Sequence, residues 1–305
     1  MKVLIMGLRA AGKTSLVKHV FEGKEWDDVK NLEPTEFVST KTYKYRGLLE
    51  VTTFDAGGQK QFIYKYFTDQ WSGKIFSNVG AFFFVVDSSN KEAIDEAKQE
   101  YLKALDYLKK YSPNAKIFVL ASKYDIKKIS IKEIRKIFGN HNVVIEATSI
   151  PEGTARPVVC KLLDSVLSKE AKKAAEKIHK ILAKFNKKQK ALASFVLNKA
   201  DGLEIASAIS KELINPKKLK YVSAKSLIEP IDTAKKMFSQ LRKSGYLTFD
   251  TADLALWHIA KEYIAVYNIS DELAMFSILK ERNFKLGKLL SSLQEVKEKV
   301  LEIIP

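Results

Sequence analysis

The chain has a single cysteine, Cys160. No disulfide can form within it, and no zinc site can be built on cysteines. Long apolar runs are also missing: none approaches the roughly 18 residues of a membrane span. The opening "MKVLIMGL" is too short for a signal peptide and is used by a strand. Lys2 rather than glycine follows Met1, so N-myristoylation is not encoded, and the closing "EIIP" is no prenylation signal. These absences lead us to expect a cytoplasmic protein. Acidic residues are in deficit, 36 Asp and Glu against 52 Lys and Arg, for a net charge of +16. Much of the excess lies in "SKEAKKAAEKIHKILAKFNKKQK" and "NPKKLKY". Basic helices can meet anionic lipid or nucleic acid. Lysine predominates over arginine and no aromatic-interleaved RNA motif accompanies it. A solvated surface is therefore the favoured reading, and nucleic acid is not an expected partner.

What is present points to a globular protein with a real core: 305 residues, 46% hydrophobic and 29% charged, a comfortable length for two domains. The first half alternates strand and helix patterns. "KVLIM", "VSTKTYKY", "LLEVTTFD", "GAFFFVVDSS", "AKIFVLASK" and "NVVIEATS" read as strands, the fourth apolar enough for a central parallel strand. "KEAIDEAKQEYLKALDYLKKY", "SIKEIRKIFG" and "RPVVCKLLDSVLSK" read as helices. This order predicts an α/β domain with a doubly wound, mostly parallel sheet, whose ligand lies outside the carboxyl ends of the strands.

The first strand is followed by "GLRAAGKTS". Gly7, Gly12, Lys13 and Thr14 fit the P-loop spacing, and Ser15 follows them. The glycines let backbone N–H groups turn inward toward phosphate oxygens. Lys13 reaches the β- and γ-phosphates, Thr14 offers its hydroxyl to Mg²⁺, and the next helix adds its positive end. Further signals sit at the other strand ends. In "FDAGGQ", Asp55 is placed to hold Mg²⁺, Gly58 to bring an N–H to a γ-phosphate, and Gln59 to orient an attacking water. The same "DAGG" is otherwise a tight turn. Thr35 in "NLEPTEF" is a second candidate Mg²⁺ ligand. In "SKYD", Asp125 can accept two hydrogen bonds from a guanine edge while Lys123 lies along the base. Ala147 in "ATS" offers an N–H to the base oxygen.

With these motifs the chain resembles a Ras-superfamily small GTPase of the Rag branch with Arf-like features. "GLRAAGKTS", "PTEF" and "FVVDSS" are similar to Arf patterns, and "DAGGQ" to both Arf and Rag. "YFTDQWSGKIFSNV" and "PNAKIFVLASKYD" resemble Rag segments, and "TSI", with Ser149 at its centre, resembles the Rag base loop. The resemblance covers residues 1–168. It implies a GTP/GDP switch with slow, Mg²⁺-dependent hydrolysis, awaiting GTPase-activating and exchange proteins. Two departures stand out. Ser122 replaces the usual asparagine, which puts a bridge to the P-loop and the contact to base N7 in doubt. Arg9 occupies a P-loop position that is often small or acidic. It either adds charge for the transition state or points to solvent or a neighbouring carboxylate.

The second half has another pattern. A basic helix over 169–187, "ALASFVLNKADGLEIASAIS" as two strands about an Asp-Gly turn, and a helix in "SAKSLIEPIDTAKKMFSQLRKSG" come first. Strands in "DLALWHIAKEYIAVYNISDELAMFSILKE" and a helix in "LGKLLSSLQEVKEKVLEII" follow, the latter with Leu286, Leu289, Leu290, Leu293, Val296 and Val300 at helical spacing. The basic helix serves as connector and first helix. This layout resembles a roadblock/longin-type domain over 188–305, which Rag proteins carry after the G domain. It implies pairing, as a homodimer or as a heterodimer with a related GTPase or roadblock protein. Signalling or trafficking regulation, with recruitment to a membrane by partners, is the expected role. His179 and His258 show no acid–base partners in the sequence, and Trp257 reads as core or interface. A constitutively GTP-bound scaffold and a gliding or polarity GTPase are the alternatives.

Overall fold

The architecture is that of a computed structural model, which describes residues 1–33, 38–45, 49–56, 64–139, 143–167, 169–199, 202, 204–210, 253–259 and 261–304. The chain divides into two compact units, residues 1–43 with 50–167, and 168–305 with 44–49.

In the first unit β1 (Lys2–Met6), β2 (Val38–Tyr45), β3 (Leu49–Ala56), β4 (Val79–Asp87), β5 (Lys116–Ser122) and β6 (Val143–Ala147) form one sheet in the order β2-β3-β1-β4-β5-β6. β1 runs parallel to both β3 and β4, and β4, β5 and β6 are parallel in turn. The continuous apolar run of β4 follows from burial on both faces. Phe82 and Phe84 pack with Tyr101 and Phe138 from α4 (Ile94–Tyr111) and α5 (Ile131–Phe138). Phe83 faces the other way, against Phe118 at 4.8 Å and beside Leu16 and Val20 of α1 (Lys13–Phe21) and Val159 of α6 (Ala155–Ser165). Two short helices escaped the sequence reading: α2 (Trp26–Val29) and α3 (Asp69–Phe76). α3 contains Ser72 and Gly73, which weaken its helical signature, yet it buries Ile75 and Phe76 in the core.

In the second unit α7 (Lys169–Gln189) precedes β7 (Ala191–Asn198), β8 (Glu204–Ile209), β9 (Leu254–Ile259), β10 (Glu262–Asn268), β11 (Leu273–Lys280) and α8 (Leu286–Leu301). The strands form an antiparallel sheet in the order β8-β7-β11-β10-β9. Gly202, at φ 68°, donates its N–H to the Asn198 carbonyl at 2.8 Å and turns the chain between β7 and β8. The helix read at 223–245 lies outside the described residues. α7 extends to Gln189 and packs on the sheet through Ile178, Leu182 and Phe185, so it is an integral helix of this unit. On α8, Leu289, Leu293, Val296 and Val300 share that core. Leu286 and Leu290 do not: they are 48% and 44% exposed. The 289–293–296–300 spacing makes one narrow seam, and Leu290 points about 100° away from Leu289.

Candidate nucleotide-binding site

The parallel pairing brings the carboxyl ends of β1, β3, β4, β5 and β6 to one side of the sheet. Ile5 is level with Asp55, Asp87 with Ser122, and Ala121 with Ala147. A cavity of about 650 Å³ opens there. It is lined from the β1–α1 loop by Arg9, Ala10, Gly12, Lys13, Thr14 and Ser15, and from the β5 end by Ser122, Lys123 and Asp125. Thus seven of the residues proposed from sequence meet one space.

The loop geometry follows from its residues. Gly7 has φ 146°, and a Cβ there would lie 2.2 Å from the Val85 carbonyl oxygen, so only glycine fits against β4. Ala10 and Gly12 are left-handed, at φ 61° and 88°. α1 then starts at Lys13 with no acidic residue in its first turn, leaving its positive end available to an anion. The Lys13 ammonium is buried and donates to the Leu8 carbonyl at 2.9 Å. Burial lowers its pKa to about 8, against the opposing pull of Asp55. A phosphate would add negative charge beside this buried cation and offset its desolvation.

The Thr14 hydroxyl donates to Asp55 at 2.6 Å. A hydroxyl and a carboxylate side by side are hard oxygen donors. Their number is low, and among the described residues no cluster of three or more His, Cys, Asp or Glu ligands occurs. That donor set fits Mg²⁺, which keeps waters and completes its shell on substrate phosphates. The Ser15 hydroxyl is used elsewhere, donating to the Val29 carbonyl at 2.9 Å. Thr35, Gly58 and Gln59 lie outside the described residues.

On the base side Ser122 is buried between strands. Its hydroxyl donates to the Ala11 carbonyl at 2.7 Å and approaches the Val86 carbonyl at 3.1 Å. The bridge to the P-loop that serine put in doubt is present: β5 approaches closely enough for serine to span it. Lys123 adopts φ 53° and pairs with Asp87 at 2.7 Å. Asp125, in a one-turn helix over Tyr124–Ile126, is exposed at the cavity. The neighbouring loop contributes Thr148, Ile150 and Pro151 to the lining. Ala147 is not among the lining residues; it ends β6 beside Ala121. Ser149 is buried, and its N–H donates to the Thr154 hydroxyl at 2.8 Å. Tyr124 N–H to the Thr148 carbonyl, 3.1 Å, ties the two base-side loops together.

Some functional neighbours had no sequence signal. Trp26 and Val29 of α2 line the cavity, though four residues are too few for a periodic pattern. Arg9 is exposed at the rim. Behind α1, buried Arg156 donates two hydrogen bonds to the His19 carbonyl, at 2.8 and 3.1 Å. His19 Nδ1 lies 2.6 Å from the Lys24 carbonyl, which can only accept, so Nδ1 carries the proton. Burial first, then Arg156, pushes the His19 pKa below its usual value. In the second unit the histidines do have partners. His258 Nε2 lies 3.1 Å from Glu281 and its ring stacks on Tyr263, and His179 bonds the Ser207 carbonyl at 2.5 Å. Both are exposed, and neither lines the nucleotide cavity.

A family model for the Gtr1/RagA G protein conserved region matches residues 2–160. The chain belongs to the Gtr1/RagA family of G proteins. It is similar to GTP-binding protein GTR1 of Saccharomyces cerevisiae, 26% identical over 329 residues and covering 97% of each chain. Ras-related GTP-binding protein A of Dictyostelium discoideum is 31% identical over 150 residues, 49% of this chain and 48% of that one. ADP-ribosylation factor-like protein 3 of Caenorhabditis elegans is 30% identical over 125 residues, 41% of this chain and 61% of the relative. Among solved structures, the Arl6 BBS3 small GTPase of Trypanosoma brucei with bound GppNp is 23% identical. It covers 54% of this chain and 96% of its own, at a TM-score of 0.44. This Gtr1/RagA-family protein is a GTP-binding switch that hydrolyses GTP, and the scaffold and gliding alternatives are not favoured.

Proposed function

We propose that the cavity at the strand ends binds Mg²⁺–GTP and that the second unit pairs the protein with a related chain. The observation carrying the first half is the meeting of Lys13, Thr14 and Asp125 in one space. Lys13 attracts the β- and γ-phosphates, with the amide groups of the Gly7–Gly12 loop around it. Thr14 and Thr35 hold the metal and Asp55 supports them. When bound, Mg²⁺ neutralises charge that builds on the transferred phosphoryl group. Asp125 selects guanine, and the loop after β6 lies beside the base through Thr148, Ile150 and Pro151. Gln59 orients the attacking water, with Gly58 beside it at the γ-phosphate. The test is single-turnover hydrolysis by Gln59→Leu. It should bind GTP as the wild type does and hydrolyse it at least about tenfold more slowly, because an apolar side chain cannot orient water. Unchanged turnover would remove Gln59 from the mechanism and make Arg9 the first suspect.

The second unit we assign to the roadblock/longin-like class, acting as a pairing domain for a copy of this chain or a related GTPase. Support comes from its sheet, which ends, among the described residues, on the apolar strand "LALWHI". An apolar sheet edge of this kind calls for a cover. Light scattering on the full chain, loaded with GDP and then with a GTP analogue, should report a dimer in both states. A monomer in both, with no related chain recovered on pull-down, would refute pairing. A cytoplasmic protein brought to membranes by its partners completes this reading.

A further inference from the structure

Resting on the nucleotide-site reading above, we propose that Ser122 gives no hydrogen bond to the bound base. The protein would then read guanine through its six-membered ring alone and accept a nucleotide lacking N7 as well as one that has it. The argument begins with one proton. A serine hydroxyl has a single hydrogen to donate. Around the Ser122 hydroxyl lie two carbonyl oxygens, of Ala11 at 2.7 Å and Val86 at 3.1 Å, and carbonyls only accept. The proton is thus committed to the backbone, and toward any other neighbour the hydroxyl presents lone pairs.

The position of Ser122 decides which part of the base it meets. The phosphates belong at the β1–α1 loop, and the ribose joins the five-membered ring of a purine, so that ring lies on the loop side. Asp125 lines the same cavity three residues beyond Ser122, and its carboxylate can accept from the N–H groups of the six-membered ring. Ser122, bonded to Ala11 of the loop, therefore faces the five-membered ring. There the base offers N7, which is an acceptor. Two acceptors make no hydrogen bond. Turning the hydroxyl toward the base would take the donor from the buried Ala11 carbonyl. Two neighbours are already engaged with other groups. The Lys123 ammonium is 2.7 Å from Asp87, and the Thr148 N–H and hydroxyl both point to the Ala121 carbonyl, at 2.8 and 3.4 Å.

The experiment displaces a fluorescent GDP analogue from the full chain with GDP and, separately, with 7-deaza-GDP, in which carbon replaces N7. Wild-type protein should bind the two with a Kd ratio near one. Ser122→Asn, whose amide has two N–H donors, can keep the Ala11 bridge and still reach N7. It should favour GDP by roughly 2–10-fold. Ser122→Ala should weaken both nucleotides together and leave the ratio near one, and these two arms decide the matter if the asparagine variant does not fold. A wild-type preference for GDP above about threefold, or a ratio that falls on Ser122→Ala, overturns the proposal, because either shows a donor at N7. Displacement by neither nucleotide would sink the site reading itself, and the proposal with it.

Discussion

Lys13 should destabilise the nucleotide-free protein that it equips for binding. Its ammonium is buried, and its pKa falls from 10.5 to about 8 mainly through desolvation. A lowering of that size costs the folded state roughly 3 kcal/mol wherever the group is charged in both folded and unfolded chains. Lys13→Met fills similar space without charge. It forfeits the charged hydrogen bond to the Leu8 carbonyl, worth about 1.5–3 kcal/mol. That carbonyl keeps a backbone donor, the Ala11 N–H at 3.3 Å, so it is not stranded. The balance leaves the nucleotide-free variant more stable by about 1 kcal/mol at neutral pH, a rise of about 2–4 °C in Tm for a unit of this size. The pH dependence has a fixed sign. The folded-state pKa is depressed, so the wild-type penalty is complete below about 8 and disappears as pH rises toward 10.5. The gap between variant and wild type should therefore close over that window. Scanning calorimetry of the full chain measures this, the first unit's transition being the one that GDP shifts in the wild type. GDP should no longer shift it in the variant. A nucleotide-free Lys13→Met protein less stable than wild type by more than about 1 kcal/mol would refute the reasoning.

Other outcomes follow from single contacts. Asp125→Asn should lower GTP affinity by at least about a hundredfold and turn preference toward xanthine nucleotides, since the paired N–H groups of guanine lose their acceptor; competition binding with GTP, XTP and ATP reads this directly. The depressed pKa of His19 means that the unfolded chain takes up its proton first. Stability from this group is complete above about pH 6.5 and falls as pH drops through the lower folded value. Urea midpoints between about pH 7 and pH 5 should therefore decline less in His19→Gln than in wild type, and parallel curves would exclude His19 as a source. Gly7→Ala should cost at least about 3 kcal/mol, because a Cβ would sit 2.2 Å from the Val85 carbonyl oxygen; an unchanged melting temperature would show that β4 can retreat.

Local chemistry made much of the fold legible. The phosphate loop depends on glycines at fixed spacing, and the central strands announce themselves as unbroken apolar runs. Both are properties of consecutive residues. The basic helix that became α7 was legible for the same reason, since helical periodicity needs only the helix. Leu286 and Leu290 fit the helical period as well, and only the packing of α8 on its sheet shows that they lie outside the seam. α2 and α3 were missed because four residues give no period and because Ser72 and Gly73 dilute one.

The sequence by itself determined which residues can do chemistry here: a lysine and threonine after a glycine turn, an aspartate after a strand, an aspartate three residues beyond Ser122. Their spacing along the chain carried that information, because each strand ends where its functional residue begins. Only the tertiary structure decided what those residues are already bonded to. That Ser122 spans to Ala11, 111 positions away, that Lys123 is held by Asp87, and that Arg156 caps the end of α1 at His19 are facts of parallel strand order. Hydrogen-bond capacity is finite, and which neighbour uses it depends on distance in space.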